Sequence, residues 1–349
     1  MPINPDLRLR QNNFDLLRFV FASVVCLVHV HALSGLETFS ILSDILSSEI
    51  AVKSFFIVSG FLIFMSYEHS RSVQHYAAKR FRRIYPAYFF IIIACVVLGS
   101  VLTTQSWQHY FSLPTLKHVA ANLLFLNFLQ PNLPGVFEHH IWQAMNGALW
   151  TLKIEVLFYI SVPLAVLAFR KFGRLPILIA LYVASVVYSM SMSALAIKTG
   201  AGFYLELQRQ LPGQLAFFVA GAAGYYYLDT LTRYAKYLVP AAILAFIAQS
   251  WLPWVAVQPI ALAILVVYAA CIFPWLGNFD KYGDFSYGIY IVHFPILQLF
   301  IAQDWFNQQP WAMLGVACGT ILFAAFLLWH LIEKPFLRKS SHYVVVNRG

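Results

Sequence analysis

Two ionisable residues, Arg18 and His29, lie inside the first apolar stretch of the chain, where removing their hydration is expensive. Their spacing of eleven residues is close to three helical turns, so both side chains fall on one helix face, about 16 Å apart along the axis. Imidazole is a base near neutral pH, and guanidinium is a permanent cation that binds phosphate. The pair therefore predicts a proton-transfer group at one depth and an anion-binding group at another.

A purely structural interpretation of Arg18 and His29 stays open. Arg18 can extend its side chain to the nearest lipid headgroups. His29 can be a hydrogen-bonded polar residue of a helix bundle. His31 lies on nearly the opposite helix face and is the weaker candidate.

Three further ionisable residues, Lys53, Lys153 and Glu155, lie in apolar stretches at a depth similar to that of His29. Lys153 and Glu155 point about 200° apart around a helix, so they cannot both face one cavity squarely. We expect one of them, with Glu155 preferred, to orient or charge the His29 site, and Lys53 to be an ion-pair partner. The alternative is a buried Lys–Glu pair that fixes the helix register.

The composition indicates which elements must position these residues. Of the 349 residues 60% are hydrophobic and only 11% are charged, whereas soluble proteins average about 25% charged residues. This excludes an ordinary soluble enzyme and a disordered chain. The four cysteines fall in apolar stretches without CxxC spacing, so neither a disulfide framework nor a metal site is predicted.

We predict an all-α integral membrane protein of about ten transmembrane helices, because ten apolar stretches approach the length that crosses a bilayer. The segment Val119–Gln130 is apolar but too short to span, so we expect it to be re-entrant or interfacial. The ten stretches are Phe14–Ser34, Ser48–Ser66, Ile84–Thr104, Gly147–Phe169, Leu175–Ser193, Leu211–Leu228, Tyr237–Pro253, Val255–Trp275, Phe285–Ala302 and Ala312–Ile332.

The basic residues predict the orientation. With the N-terminus inside, seventeen of the 23 lysines and arginines fall in cytoplasmic segments and three in outer ones, as the positive-inside rule requires. Both termini are then cytoplasmic, with tails at residues 1–13 and 337–349 around one membrane domain at 14–336. The net charge of +9 is thus mainly a topology signal, and we expect no nucleic-acid partner.

Six motifs occur in order along the chain, and together they resemble the acyltransferase-3 family of bacterial membrane O-acyltransferases. The resemblance runs from about Asn13 to Phe336. The motifs are Arg18-x10-His29, Ser54-Phe55-Phe56-Ile57-Val58-Ser59-Gly60-Phe61, Lys79-Arg80-Phe81-Arg82-Arg83-Ile84-Tyr85-Pro86, Leu149-Trp150-Thr151-Leu152-Lys153-Ile154-Glu155, Ser286-Tyr287-Gly288-Ile289-Tyr290-Ile291-Val292-His293 and Glu333-Lys334-Pro335.

The resemblance implies an enzyme of the bacterial inner membrane that transfers an acyl group, usually acetyl from acetyl-CoA, onto a hydroxyl of a glycan or lipid-linked saccharide. Acetyl-CoA is then a co-substrate, no cofactor is permanently bound, and glycan synthesis or export machinery is an expected partner. His29 is expected to be the base, with Lys153 and Glu155 completing the catalytic group. A covalent acyl-His29 intermediate stays open.

Substrate contacts follow from the same motifs. Arg18 with Arg80, Arg82 and Arg83 would bind the phosphates of the coenzyme, and the arginine cluster also fits an ordinary cytoplasmic anchor. Tyr290 and His293 would contact the acyl donor. The alternative is that their helix face forms hydrogen bonds with a neighbouring helix. The acceptor would meet Trp150, Lys53 and Ser59, although Trp150 also fits an aromatic-belt anchor.

Two other classes of protein share some of these features. A transporter or flippase for a sugar or lipid-linked sugar also carries charges at membrane depth, but the chain shows no repeats of the kind typical of transporters. A scaffold for glycan synthesis would need none of the ionisable residues.

Overall fold

The computed structural model describes residues 11–279, 281 and 283–337, and within these ranges the chain forms helices and no strand. The outer parts of the two predicted tails, residues 1–10 and 338–349, lie outside the described residues. The α-helices are α1 Phe14–Ser34, α2 Ser40–Ile45, α3 Ser48–Glu68, α4 Val73–Leu102, α5 Trp107–Tyr110, α6 Leu113–Leu123, α7 Trp150–Phe172, α8 Arg174–Thr199, α9 Phe203–Gln208, α10 Leu211–Tyr226, α11 Leu228–Ile247, α12 Trp254–Val267, α13 Ser286–Ala302, α14 Trp305–Gln308, α15 Pro310–Leu328 and α16 Lys334–Leu337.

Short 3-10 and π-helical turns extend several of these helices. Two π-turns, Tyr268–Ile272 and Trp329–Glu333, continue α12 and α15. The 3-10 turn Gly147–Leu149 leads directly into α7.

Seven helices of the described chain are long and apolar enough to cross a membrane. They correspond to seven of the ten predicted spans, so the chain is an all-helical, multi-pass membrane protein. The other three predicted spans are also helices, namely α10, α11 and α13, with 16, 20 and 17 residues. The count of ten spans and the cytoplasmic placement of the termini stay predictions.

The chain divides into two compact units, and α1, α3, α4 and α7 each have residues in both. The first unit contains residues 1–17, 52–76 and 154–278, and the second contains residues 18–51, 77–153 and 279–349. Each unit has its own packing, and each is described separately below.

In the first unit, α3 and α10 cross at two glycines. A side chain on Gly60 would collide with the carbonyl of Phe218, and one on Gly221 would collide with the carbonyl of Ile57. Small residues at a crossing let helix backbones approach closely, and this is how helices associate where lipid removes the hydrophobic driving force. The motif segment around Gly60 is therefore a packing surface as well as a sequence signature.

In the second unit, the chain that follows α4 runs back alongside this helix and then returns to the helix's C-terminal end. The ring of Phe125, at the turn after α6, stacks on Tyr88 with ring centroids 4.2 Å apart, and the Tyr88 hydroxyl donates to the Asn122 carbonyl at 2.7 Å. Tyr88 lies fourteen residues before the end of α4, which is about 21 Å along the helix. The chain then comes back to that end, because the Thr104 amide donates to the Gly135 carbonyl at 3.0 Å.

The re-entrant or interfacial placement of Val119–Gln130 stays a prediction. The inner side of the turn is packed against protein. Asn122 is 3% exposed, and its side-chain amide donates to the His118 and Gln130 carbonyls, so it closes the turn from within.

The glycine crossing in the first unit gives a testable prediction. Gly60→Ala should destabilise the protein by about 1–3 kcal/mol, because the added methyl group meets a backbone carbonyl that cannot move away. Gly319→Ala is the matched control, since Gly319 also lies in an apolar helix but faces open space. The measurement is the temperature at which the detergent-solubilised protein loses its monodisperse peak, and equal midpoints for both variants would contradict the packing role.

Candidate functional site

Four ionisable side chains meet at one end of the second unit. Arg18 of α1 donates from Nη1 to Oδ2 of Asp284 at 2.6 Å, and Arg83 of α4 donates to the same oxygen. Arg83 also donates from Nη1 to Oε2 of Glu333 at 3.3 Å, at the end of the π-turn after α15. None of these side chains is more than 14% exposed. Two arginines and two carboxyl groups thus join α1, α4 and α15 to the start of α13.

The position of Asp284 follows from its place in the sequence, two residues before α13 begins. Its Oδ1 accepts hydrogen bonds from the Ser286 amide at 3.2 Å and from the Ser286 hydroxyl at 2.5 Å. Acidic residues are favoured at helix starts because they accept from unpaired amides and interact with the helix dipole. One carboxylate therefore caps α13 with one oxygen and binds two arginines with the other.

The charge of Asp284 is stable across the physiological pH range. Burial alone raises the pKa of this carboxyl, but Arg18 and Arg83 outweigh it and hold the pKa well below its ordinary value. The stability gained from this ionisation is complete above the ordinary pKa and is lost only as the pH falls through the lowered one.

Further along the same two helices, His29 contacts His293. His29 Nδ1 and His293 Nε2 are 2.8 Å apart, and the two rings stack with an interplanar angle of 22°. His293 is fully buried, and its Nδ1 lies 3.1 Å from the carbonyl oxygen of Ile289. The edge of the Phe294 ring covers His29, with centroids 5.9 Å apart.

The two links show that α1 and α13 run in the same direction. Arg18 pairs with Asp284, and eleven residues later His29 pairs with His293, nine residues beyond Asp284. A parallel arrangement agrees with the predicted topology, in which both helices cross from inside to outside. The spacing of Arg18 and His29 on one face is confirmed, because both contact one partner helix.

The segment before α7 covers the far half of α13. Pro295 has no amide hydrogen to donate to the Ile291 carbonyl, and the side-chain amide of Asn146 donates to this carbonyl instead, at 2.8 Å. The Thr151 and Tyr290 hydroxyls are 2.8 Å apart. The start of α7 is thereby fixed to α13 one turn before His293.

The remaining predicted residues in the second unit lie near these elements. The Lys153 ammonium lies 4.5 Å from the centroid of the Phe128 ring, in the stretch of chain that returns from Phe125 toward Gly135. Trp150 is the first residue of α7 and is half-buried. Arg80 and Arg82, also half-buried, lie on α4 within one turn of Arg83.

The other three predicted residues make contacts within the first unit. Glu155 Oε1 accepts from the hydroxyls of Ser59 at 3.3 Å and Tyr159 at 2.5 Å. The Lys53 ammonium donates to Oε1 of Gln258 at 2.8 Å and lies 5.0 Å from the centroid of the Phe217 ring. Glu155 and Lys153 have different surroundings, as their angular separation on α7 predicts.

The sequence patterns do not indicate Asp284 and Thr151 as residues of the site. Asp284 lies outside the apolar stretches, where an ionisable residue would point to function, although an acidic residue just before the Ser286 motif is a helix-start signal. Thr151 belongs to a motif that gives it no role, and nothing in the sequence marks its contact with Tyr290. The sequence predicts that His293 contacts the acyl donor, but no residue pattern indicates that it faces His29.

The chain matches known proteins over nearly its whole length. A family model described as an acyltransferase domain matches residues 11–330. The chain is 30% identical to an O-acetyl transferase of Shigella phage Sf6, over 95% of this chain and 98% of the relative. It is 28% identical to nodulation protein 10 of Rhizobium leguminosarum bv. viciae, over 98% of both chains.

A peptidoglycan O-acetyltransferase, OatA of Listeria monocytogenes, is 24% identical over 84% of this chain and 51% of its own length. No solved structure matches the chain.

The shared carboxylate gives a second prediction. Asp284→Asn keeps an oxygen that caps α13 but removes the charge that Arg18 and Arg83 share, so we expect a loss of about 3–5 kcal/mol of stability. Asp304→Asn is the matched control, because Asp304 also precedes a helix but is exposed. Thermal unfolding in detergent is the measurement, and an Asp284→Asn protein as stable as the control would show that the ion cluster does not hold the helices.

Proposed function

This multi-pass membrane protein belongs to the acyltransferase domain family, and from that membership we propose that it transfers an acetyl group from acetyl-CoA to a hydroxyl of a polysaccharide or lipid-linked saccharide. The observation that carries the proposal is the His29–His293 pair, an imidazole site held at membrane depth three helical turns from an arginine cluster. The names of the relatives from phage Sf6 and Listeria support acetyl as the acyl group and a glycan as the acceptor.

The proposed reaction needs one base. His29 takes the proton from the acceptor hydroxyl as the oxygen attacks the thioester carbonyl, and the carbon–sulfur bond then breaks. The proton on His29 passes to the departing thiolate, so imidazole returns to its starting state and coenzyme A leaves as the thiol. His293 is fully buried beside His29, and exclusion of water from that side of the pair would limit competing hydrolysis of the thioester.

The donor would enter from the end of the second unit that holds the arginines. Hydrogen bonds to Asp284 and Glu333 hold the guanidinium groups of Arg18 and Arg83 in fixed positions. Arg80 and Arg82 lie on the same end of α4. We assign the coenzyme phosphates to these four arginines. The pantetheine arm then extends about 16 Å along α1 toward His29.

The acceptor would approach from the opposite end, where α7 begins. Trp150 offers an aromatic face for a sugar ring, and Lys153 offers a cation for an anionic sugar or a lipid-linked phosphate. We place the protein in the bacterial inner membrane, where acetyl-CoA is available on the cytoplasmic side and glycans are assembled or exported. The roles predicted for Lys53, Ser59 and Glu155 stay sequence predictions.

The base assignment is tested by His29→Ala. Loss of a general base should lower acetyl transfer from labelled acetyl-CoA by about 10²- to 10⁴-fold. His31→Ala is the matched control, since His31 lies on the other face of α1 and contacts Ser43. Full activity of His29→Ala at equal membrane abundance would refute the role, and wild-type protein that neither binds nor consumes acetyl-CoA would favour the transporter alternative.

The donor site is tested by Arg80→Ala and Arg82→Ala, each measured alone. Removing one charge-assisted contact to phosphate costs about 1.5–3 kcal/mol, so the KM for acetyl-CoA should rise roughly tenfold or more, with a smaller effect on kcat. Arg71→Ala is the control, because Arg71 lies in the exposed segment before α4. An unchanged KM in both variants would limit these arginines to membrane anchoring.

A further inference from the structure

The hydrogen bonds of His293 determine which of its nitrogens carries the proton. Its Nδ1 faces the Ile289 carbonyl oxygen at 3.1 Å, and a carbonyl can only accept, so Nδ1 is the donor. A fully buried imidazole beside a second imidazole is neutral, because a charge there would lose its hydration without an opposite partner. A neutral ring carries one N–H. The Nε2 atom of His293 is therefore an acceptor.

The tautomer of His29 follows from that of His293. His29 Nδ1 lies 2.8 Å from His293 Nε2, and since His293 Nε2 accepts, His29 Nδ1 must donate. The second nitrogen of His29, Nε2, then carries the lone pair. The carbonyl of Ile289 thus determines the tautomer of His293 directly and the tautomer of His29 through His293.

We propose that His293 is a positioning residue that holds His29 in the tautomer protonated at Nδ1, so that Nε2 is the nitrogen that removes the proton from the acceptor hydroxyl. This inference rests on the proposed function, because it assigns the basic atom of the same site. His293 itself takes no proton from the substrate.

The proton balance of the step agrees with this role. As the acceptor O–H bond breaks, an N–H bond forms at His29 Nε2, and His29 becomes a cation with both nitrogens protonated. The Nδ1–H bond to His293 Nε2 then becomes charge-assisted and stabilises that cation. When the carbon–sulfur bond breaks, the Nε2 proton moves to the thiolate sulfur, and His29 returns to the Nδ1–H tautomer that His293 selects.

The surroundings of His293 hold its ring in place. The adjacent Phe294 ring faces Gly147, where any side chain would meet the ring at 2.7 Å. Asn146, next to Gly147, bonds the Ile291 carbonyl. The segment before α7 therefore restrains the part of α13 that carries His293, whose Nε2 accepts the hydrogen bond from His29.

Replacement of His293 by glutamine and by phenylalanine tests the role. The Oε1 atom of glutamine can accept the Nδ1–H of His29, whereas phenylalanine fills the space without an acceptor. We expect His293→Phe to lower kcat by about 100-fold, the lower end of what a positioned base contributes, with little change in the KM for acetyl-CoA, and His293→Gln to recover a large part of kcat. His31→Phe, two residues from His29 on α1, should have no effect on kcat.

A spectroscopic measurement keeps the test independent of folding defects in the variants. In wild-type protein with ¹⁵N-labelled histidine, the His29 signal should show a protonated Nδ1 and an unprotonated Nε2 without any substrate. A His29 ring protonated at Nε2 would overturn the inference, as would a His293→Phe protein with wild-type kcat. Failure of the proposed function gives a different result, namely an active His29→Ala protein or a wild-type protein that does not use acetyl-CoA.

Discussion

The placement of the second unit's helices depends on one buried carboxylate. A buried ionised group is tolerated when opposite charges and hydrogen bonds surround it, and Asp284 has two arginines and a serine as partners. Because these partners come from α1, α4 and α13, the ion cluster sets the axial position and rotation of each helix at that end. His29 lies on the same face of α1 as Arg18, so the position of the imidazole also follows from the ion pair three turns away.

The opposite end of α13 is held by neutral contacts. Pro295 leaves the Ile291 carbonyl without its helical donor, and an orphan carbonyl in an apolar layer costs several kcal/mol. Asn146 satisfies that carbonyl and thereby fixes the segment that leads into α7. The carbonyl that Pro295 leaves unpaired is thus the point at which the segment before α7 attaches to α13. The same segment limits the movement of Phe294 and His293.

Much of the architecture could be predicted from sequence, because apolar length and positional charge are strong signals in membranes. The seven long helices and the shared face of Arg18 and His29 follow from spacing. The partners of these residues do not. His293 contacts His29 across 264 positions of sequence, and helical period alone gives no register between two helices. Asp284 lies outside any apolar stretch, so its burial by Arg18 and Arg83 is visible only when the helices are packed.

The neutral partner of His29 has a physical reason. A carboxylate beside His29 would stabilise the imidazolium strongly in an apolar layer, and a histidine that is already protonated cannot act as a base. A second neutral histidine orients the ring and fixes the tautomer without adding a charge. Under the proposed function, the ion pairs lie at the end of the second unit where phosphates would bind, and neutral hydrogen bonds lie at the depth where the proton would move. The separation of these two environments along α1 and α13 would then let one pair of helices serve both tasks.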